Sequence, residues 1–406
     1  MSDGRSSDRR TLSSSTRLLG YRGLFLALIC EEGYLNEYWR ISWCLKERVL
    51  RVIHLGDVAG LGGLQNWICS LAEAQARRGF EVHLMQPPWA APEKQVFSAL
   101  PVHTWDLEKT RGFDVVHSHG LGGFQNSKIR KEIQPPIIVQ TYYGTILGIQ
   151  IALRWFQNLV GWNGFDVPRN IVRDAMCGQT ADAVIAISPK VRTEIKRFYG
   201  IQERKISVIP GGYFLNTNDS SKQFLRRLLG LPESGFLFLF VGRADPVKNL
   251  PAALAAFQLT RSRFHNSYLV LAPEQDVASR SGIIGIELTP QEMSQLYRSV
   301  DALIHPSHYD AYSLAVHEAL AYGLPVIVSQ GTGAAHYCTN ELNALILPRK
   351  RGVPLVDALS KLMCSLIESE DLRSRLSTEA ARKFSPMDWD WVAGETEKVY
   401  SSARVL

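Results

Sequence analysis

The sequence predicts an α/β protein made of two Rossmann-like parallel-sheet domains in tandem, facing across a cleft. Three observations predict it. The chain has 406 residues, more than the roughly 250 to 300 at which a single hydrophobic core stops growing. Short apolar runs bounded by turn signals alternate with helical stretches in two successive series, the pattern of βαβ units. Neither series shows an internal repeat of obvious period.

The elements follow in order. Residues 1–48 read as a peripheral extension: residues 2–17 are rich in Ser and Arg, and the apolar run Gly23 to Cys30 stops at Glu31 and Glu32. That run is too short for a bilayer span, which needs about 20 apolar residues, and no small-residue cleavage site follows it. A first domain occupies residues 49–214. Val49 to Leu55 reads as its first strand, Leu64 to Gly79 as a helix with a glycine stop, and Glu81 to Met85 as the next strand, which makes a βαβ unit and a parallel sheet. Further buried strands are expected at Val115 to His117, Ile137 to Gln140, Ala183 to Ile187 and Ile206 to Ile209. A polar, linker-like start at 215 opens a second domain, 215–386. It reads as Phe236 to Val241, a helix at Leu250 to Leu259, then Tyr268 to Leu271, Gln291 to Tyr297, Ala302 to Ile304, Ser313 to Tyr322 and Pro325 to Val328. A last helix, 387–406, is expected to complete the first domain.

Composition narrows the function. Hydrophobic residues are 46% and charged residues 21%, the balance of a folded soluble enzyme. The formal charge of +6 is spread over 45 basic and 39 acidic side chains, too mild for a nucleic-acid partner. The six cysteines, Cys30, Cys44, Cys69, Cys177, Cys338 and Cys364, form no CxxC pair and read as reduced thiols of a cytoplasmic protein. His117 and His119 have no further His or Cys nearby in the sequence at a zinc-site spacing, so no metal is expected.

Ligands of open parallel sheets sit outside the carboxyl ends of the strands. After the first strand comes Gly56-Asp57-Val58-Ala59-Gly60-Leu61-Gly62-Gly63, where the backbone can approach an anion at a helix N-terminus. The letters fit neither the dinucleotide nor the P-loop fingerprint. After Phe236 to Val241 comes a loop carrying Arg243 and Lys248, two cations suited to clamping a diphosphate. After Ala302 to Ile304, the stretch from His305 places Asp310 on a loop and Glu318 on the following helix, among Leu314, Val316 and Leu320. A carboxylate on so apolar a helix needs a partner, because burying it unpaired is costly, and a polyhydroxyl ligand supplies one.

The strings GGLQN, FDVVHSHG, ADAVIAISPKVRTEI, ISVIPGG, VGRADPVKNL and HPSHYDAYSLAVHEALAYGLPVIVS resemble, in order and spacing, the retaining GT-B glycosyltransferases of family four, the group 1 glycosyltransferases. The resemblance runs over about residues 50 to 400, and its most specific part is Asp310, seven residues, then Glu318, with Arg243 and Lys248 upstream. It implies metal-independent transfer of a sugar from a UDP- or GDP-linked donor to a glycan, lipid-linked or small-molecule acceptor, with no cofactor. By the same resemblance Arg243 and Lys248 hold the diphosphate and Glu318 accepts the ribose hydroxyls. Asp310 contacts the transferred sugar, and the amides around Tyr312, Ser313 and Leu314 bind sugar and phosphate. Gly62 and Gly63 meet the phosphate from the first domain, Gln65 lies near the acceptor, and His119 reaches the sugar or its developing charge.

Two departures stand out. The family usually has Glu-Gly-Phe-Gly where this chain has Asp310-Ala311-Tyr312-Ser313, and His-Gly where this chain has Tyr143-Gly144. The first keeps open a catalytically inactive nucleotide-sugar-binding subunit. A nucleotide-sugar epimerase shares the architecture, since fold does not settle function, whereas a phosphorylase would want a pyridoxal-anchoring Lys, for which no motif is present. Asp388-Trp389-Asp390 has the letters of a metal-binding DxD motif but opens a helix, where Asp serves as a cap. The stretch Ile146 to Phe165, with Lys128, Arg130 and Lys131 nearby, reads first as a core helix and second as a peripheral contact on the inner face of a membrane.

Overall fold

The computed structural model describes residues 49–403 apart from 61, 90–95, 97, 134–136, 154–166, 214, 216–219, 276–280, 290–291, 350–353 and 385–386. The N-terminal extension and residues 154–165 of the 146–165 stretch lie outside the described residues. From Leu50 onward the chain forms one compact unit around two sheets. The first contains β1 (Arg51–Leu55), β2 (Glu81–Met85), β3 (Val102–His103), β4 (Val115–His119), β5 (Ile137–Tyr142), β6 (Ala183–Ala186) and β7 (Ile206–Val208), in the order β3-β2-β1-β4-β5-β6-β7. The second contains β8 (Phe236–Val241), β9 (Ser267–Ala272), β10 (Ile283–Gly285), β11 (Ala302–His305), β12 (Val326–Ser329) and β13 (Leu345–Leu347), in the order β10-β9-β8-β11-β12-β13. Every pair is parallel.

These strands form where the chain is apolar on both faces. Val52 and Ile53 of β1, Val115 and Val116 of β4, and Leu237 to Leu239 of β8 are fully buried, as a sheet covered by helices on both sides requires. In each sheet the strand order reverses at the central pair, β1/β4 and β8/β11. Such a reversal leaves a crevice between the two outgoing loops, and every candidate loop named above leaves one of those four strands or its neighbour.

The sequence did not reveal β3, β10 and β13, which stand at sheet edges and are two or three residues long. The helix Trp389–Ala403 packs on the first sheet: Trp389, Val392, Val399 and Tyr400 share a core with Val52, Trp67 and Val116. Asp388 Oδ1 accepts the Trp391 amide at 2.6 Å, and Asp390 pairs with Arg77 at 3.0 Å, so both acids of that stretch have structural partners. The helix Ile146–Leu153 buries Gly148 and Ala152 and leaves Ile151 exposed. Among the described residues no helix is long and apolar enough to cross a membrane, and Cys69, Cys177, Cys338 and Cys364 are free.

Candidate functional site

The second sheet supplies charge. At the end of β8 the chain turns at Gly242, φ +146°, a conformation that side chains rarely tolerate. A short turn at Pro246–Lys248, capped by Asp245, then aims Lys248 across at the loop leaving β11. Lys248 Nζ lies 2.5 Å from Asp310 Oδ2, and His305 Nε2 lies 3.2 Å from the same oxygen. Asp310 Oδ1 accepts the amides of Ser313 at 2.8 Å and Tyr312 at 3.2 Å. A carboxylate offers about four lone-pair sites, and four donors occupy them. Burial alone would raise the Asp310 pKa; Lys248 and then His305 outweigh it and hold the group well below the usual carboxylate range. Arg243 is exposed, and its guanidinium has no partner among the described residues.

The helix Leu314–Ala321 follows directly. Its cap, Ser313, sits at φ +65°, the left-handed region where glycine is usual, and Ser313 Oγ meets His305 Nε2 at 3.0 Å. Because Asp310 claims the amides of Tyr312 and Ser313, the first amide available at this N-terminus is that of Leu314, which has no acceptor among the described residues. Glu318 is half-buried; Tyr297 Oη donates to its Oε2 at 2.8 Å, leaving Oε1 to accept from elsewhere. Burial raises the Glu318 pKa, offset in part by Tyr297. Gly333, on the loop after β12, donates to the Asp310 carbonyl at 2.8 Å. A Cβ there would stand 1.8 Å from the Ala311 carbonyl oxygen, so this contact requires glycine.

The first sheet supplies a helix N-terminus and a buried polar chain. Gly62 caps the helix Gly63–Arg77 without a side-chain acceptor and with no acid in the first turn. Gln65 folds back over it, since a Cβ on Gly62 would meet Gln65 Oε1 at 2.2 Å. Beneath lie three histidines. The parallel register sets His54 beside His117, and His119 follows on the same face, with ring centroids 4.2 to 5.1 Å apart. This corrects the reading that no further histidine is near: the possible ligand atoms lie within 4.8 Å of one another. All six ring nitrogens have partners, and proton direction can be assigned along them. Gln75 Oε1 only accepts, so His54 Nε2 donates to it at 2.7 Å. His54 Nδ1 then accepts from His119 Nε2 at 2.8 Å, and His119 Nδ1 from Tyr143 Oη at 2.8 Å. Gln75 Nε2 donates to Tyr400 Oη at 3.0 Å, Tyr400 to His117 Nδ1 at 2.7 Å, and His117 Nε2 to Thr141 Oγ1 at 2.7 Å. Every link is satisfied with all three rings neutral, in agreement with burial, which lowers the His54 pKa to about 4 and those of His117 and His119 well below 6.5. A cation here would have to break this chain.

The two sheets are joined through the Asp310 loop. Tyr309, Ala311 and Tyr312 are buried in the first domain's core. Tyr309 Oη donates to Glu194 Oε2 at 2.7 Å, as does Thr145 Oγ1 at 2.7 Å, while Lys190 Nζ holds Glu194 Oε1 at 2.7 Å. Ser188 Oγ donates to the Ala311 carbonyl at 2.5 Å and Tyr312 Oη to the Gly211 carbonyl at 3.0 Å. The Tyr312 ring packs edge-on against Trp67 and stacks 3.9 Å from His317.

The structure therefore gathers Arg243, Lys248, Asp310 and Ser313 on adjoining loops, and Leu314 and Glu318 on the helix that follows, at the carboxyl end of the second sheet. Gly62, Gly63 and Gln65 stand at the corresponding end of the first. Tyr312 turns its side chain into the interface, and His119 is buried with both nitrogens engaged, so a ligand reaches that ring only if Tyr143 or His54 lets go. Sequence reasoning missed Glu194, Tyr309 and Gly333. The Glu194 to Tyr309 contact spans 115 positions, which no local pattern reports.

Comparison with known proteins agrees with this architecture. Residues 61–216 match Glycosyltransferase Family 4, and residues 221–383 match Glycosyl transferases group 1. An uncharacterized glycosyltransferase of Methanocaldococcus jannaschii is 23% identical over 388 residues, covering 85% of this chain and 96% of that protein. Sucrose-phosphate synthase from Thermosynechococcus elongatus shares the fold with TM-score 0.69 at 17% identity, over 88% of this chain and all of that one. Anabaena HepE in complex with UDP does so with TM-score 0.68 at 15% identity, over 87% of this chain and 100% of that one.

Proposed function

Because this chain belongs to the group 1 GT-B glycosyltransferases, we propose that it transfers a sugar, with retention at the anomeric carbon, from a UDP- or GDP-linked donor. The acceptor class in this reading is a glycan, a lipid-linked sugar or a small molecule. The observation that carries the reading is the juxtaposition of Lys248 and Asp310 at 2.5 Å, with the Arg243 guanidinium and the Leu314 amide without partners among the described residues. Two cations after β8 and a helix N-terminus after the adjacent β11 form a site for a diphosphate. The solved complex of Anabaena HepE with UDP supports the same class of donor.

In this mechanism the diphosphate draws Lys248 from Asp310 and takes Arg243 as a second clamp. Charge that develops on the leaving phosphate is then stabilised by groups already in place. Asp310 Oδ2, released from Lys248, accepts a hydroxyl of the transferred sugar, and Glu318 Oε1 accepts from the ribose. No carboxylate is assigned as a nucleophile beneath the anomeric carbon. The acceptor attacks from the face the phosphate leaves, and the phosphate takes its proton, with Asp310 positioning the sugar and His119 joining it once Tyr143 releases its Nδ1. The two cations take the place of a divalent ion. An NMR assay of the product formed in EDTA tests both parts. The expected product keeps the donor's anomeric configuration and forms at the rate seen without chelator. Inversion, or product only after magnesium or manganese is restored, refutes the reading.

A further inference from the structure

The buried histidine network has a sense of direction, and that direction has an outcome at His119. In a neutral imidazole one nitrogen donates and the other accepts, and the bond made by one decides the role of the other. Gln75 is the member whose two ends differ without any proton moving: its Nε2 donates to Tyr400 Oη at 3.0 Å, and its Oε1 accepts from His54 Nε2 at 2.7 Å. His54 Nδ1 is then an acceptor. His119 Nε2 therefore carries the proton of their 2.8 Å contact, and His119 Nδ1 is left with a lone pair. Turning the Gln75 amide over would reverse each of these roles and make that Nδ1 a donor. Tyr400 opposes such a turn. It donates to His117 Nδ1 at 2.7 Å while His117 Nε2 donates to Thr141 Oγ1 at 2.7 Å, so the amide cannot reverse unless His117 and Thr141 reverse with it.

His119 itself lies between the two loops that the site is built from. A Cβ on Gly56 would stand 3.0 Å from His119 Cβ, which puts the ring against the start of the Gly56–Gly63 loop. The donor now held by His119 Nδ1 is the hydroxyl of Tyr143, at 2.8 Å, on a half-buried side chain. The next residue, Gly144, packs on the Asp310 loop: a Cβ there would stand 2.9 Å from Tyr309 Oη and 3.4 Å from Ala311 Cβ. A group that displaces Tyr143 has to do what the phenol does, which is to donate a proton.

We propose that Gln75 and Tyr400 are positioning residues that act through His54: they hold His119 Nδ1 as an acceptor, so that the site takes a sugar with a hydroxyl at that point and rejects one offering only an acceptor, such as fluorine, a carbonyl or a carboxylate. A lone pair facing a lone pair leaves both groups desolvated and unpaired, and a site built to pair a hydroxyl discriminates strongly against an analogue that lacks its proton. The sugar contact rests on the glycosyl-transfer reading; the state of His119 rests on the hydrogen-bond network alone.

Long-range proton–nitrogen correlation spectra of the full chain carrying isotope-labelled histidine read the tautomer, and calorimetry reads the specificity. Wild type, Tyr400→Phe and Gln75→Met are each titrated with UDP, GDP, UDP-glucose, GDP-mannose, and analogues of both sugar nucleotides in which one sugar hydroxyl at a time is replaced by fluorine. In the wild type His119 should carry its proton on Nε2 alone. In the variants, where the amide is untied from His117 or absent, the proton should be shared between Nε2 and Nδ1. At one position of the sugar, fluorine should weaken wild-type binding tenfold or more but weaken binding to the variants threefold or less, with UDP and GDP affinity unchanged. A merely structural role for Tyr400 would not move that ratio. The proposal is overturned by a wild-type His119 protonated on Nδ1, by a tautomer that both variants keep, or by fluorine penalties that are the same in variants and wild type. The wild-type spectrum keeps its force even where a variant does not fold. Wild-type failure to bind either sugar nucleotide strikes at the donor reading, whereas the spectra judge the network by themselves.

Discussion

Replacing Lys248 by Ala separates a charge that acts in the transition state from one that only holds the loop. In the resting structure Lys248 Nζ is 2.5 Å from Asp310 Oδ2. If that charge moves to the leaving diphosphate during transfer, its loss resembles the loss of one preorganised donor, about 3 to 4 kcal/mol, or roughly 10²- to 10³-fold in kcat. The fold loses less. Asp310 retains His305 and two backbone amides as donors, so the carboxylate is not orphaned, and the stability cost should be about 1 to 3 kcal/mol. Steady-state kinetics with saturating donor, alongside urea unfolding, measure the two costs. A transition-state role lowers kcat and kcat/KM together, whereas a purely binding role raises KM alone. The pH profile adds a signature. Lys248 is the largest influence holding the Asp310 pKa down, so in Lys248→Ala that pKa rises and the acid limb of the rate moves to higher pH. A folded variant whose kcat stays within about threefold of the wild type would show that the clamp reasoning is wrong.

Two more outcomes are expected. Glu318→Ala should weaken nucleotide binding with little change in kcat at saturating donor, because the ribose contact is the same in ground and transition states; calorimetry showing unchanged nucleotide affinity would make Glu318 a structural partner of Tyr297. Tyr400→Phe should cost roughly 2 to 5 kcal/mol, because it leaves His117 Nδ1 and Gln75 Nε2 buried without partners, and urea unfolding at pH 7.5 checks it. The same measurement on the wild type should show stability falling with pH. The unfolded chain protonates His54, His117 and His119 below about 6.5, while in the folded chain burial lowers the His54 pKa to about 4 and holds the other two well below 6.5. Their contribution is complete above that upper value and drains away below it. Asp174 runs the other way: raised by burial to about 6, it stabilises at low pH and loses that contribution as pH rises. Three histidines outnumber one aspartate, so the net contribution of these four groups is a loss of stability as pH falls below about 6. A flat profile would contradict the neutral chain.

The sequence was most legible where one segment carries its own signal. Phe236 to Val241 is apolar at every position and became β8 with those bounds, and the loops after β8 and β11 could be read as candidate anion and carboxylate sites because strand ends are where such ligands bind. The three missed strands are edges with a single neighbour, too short to print an apolar run. The polar interior was hidden for a different reason. His54, Gln75, His117 and Tyr400 look ordinary in their own segments, and the Gln75 to Tyr400 contact closes over 325 positions. Only the β1/β4 register and the docking of the last helix bring them together. The amides of Tyr312 and Ser313 show the same limit, since their capture by Asp310 depends on how the loop folds back on itself.

That last helix has a consequence for how the protein is made. The final strand of the first sheet ends at Val208, yet Tyr400, which completes the polar chain beneath it, is about 190 residues later. At the roughly 5 to 20 residues per second of synthesis, this gap lasts on the order of 10 to 40 seconds. Throughout it the nascent first sheet has left the ribosome with His117 and Gln75 lacking their hydroxyl, and with the ground that Trp389, Val392 and Val399 will cover still bare. The second sheet, whose strands run from Phe236 to Leu347, can therefore finish before the first one does.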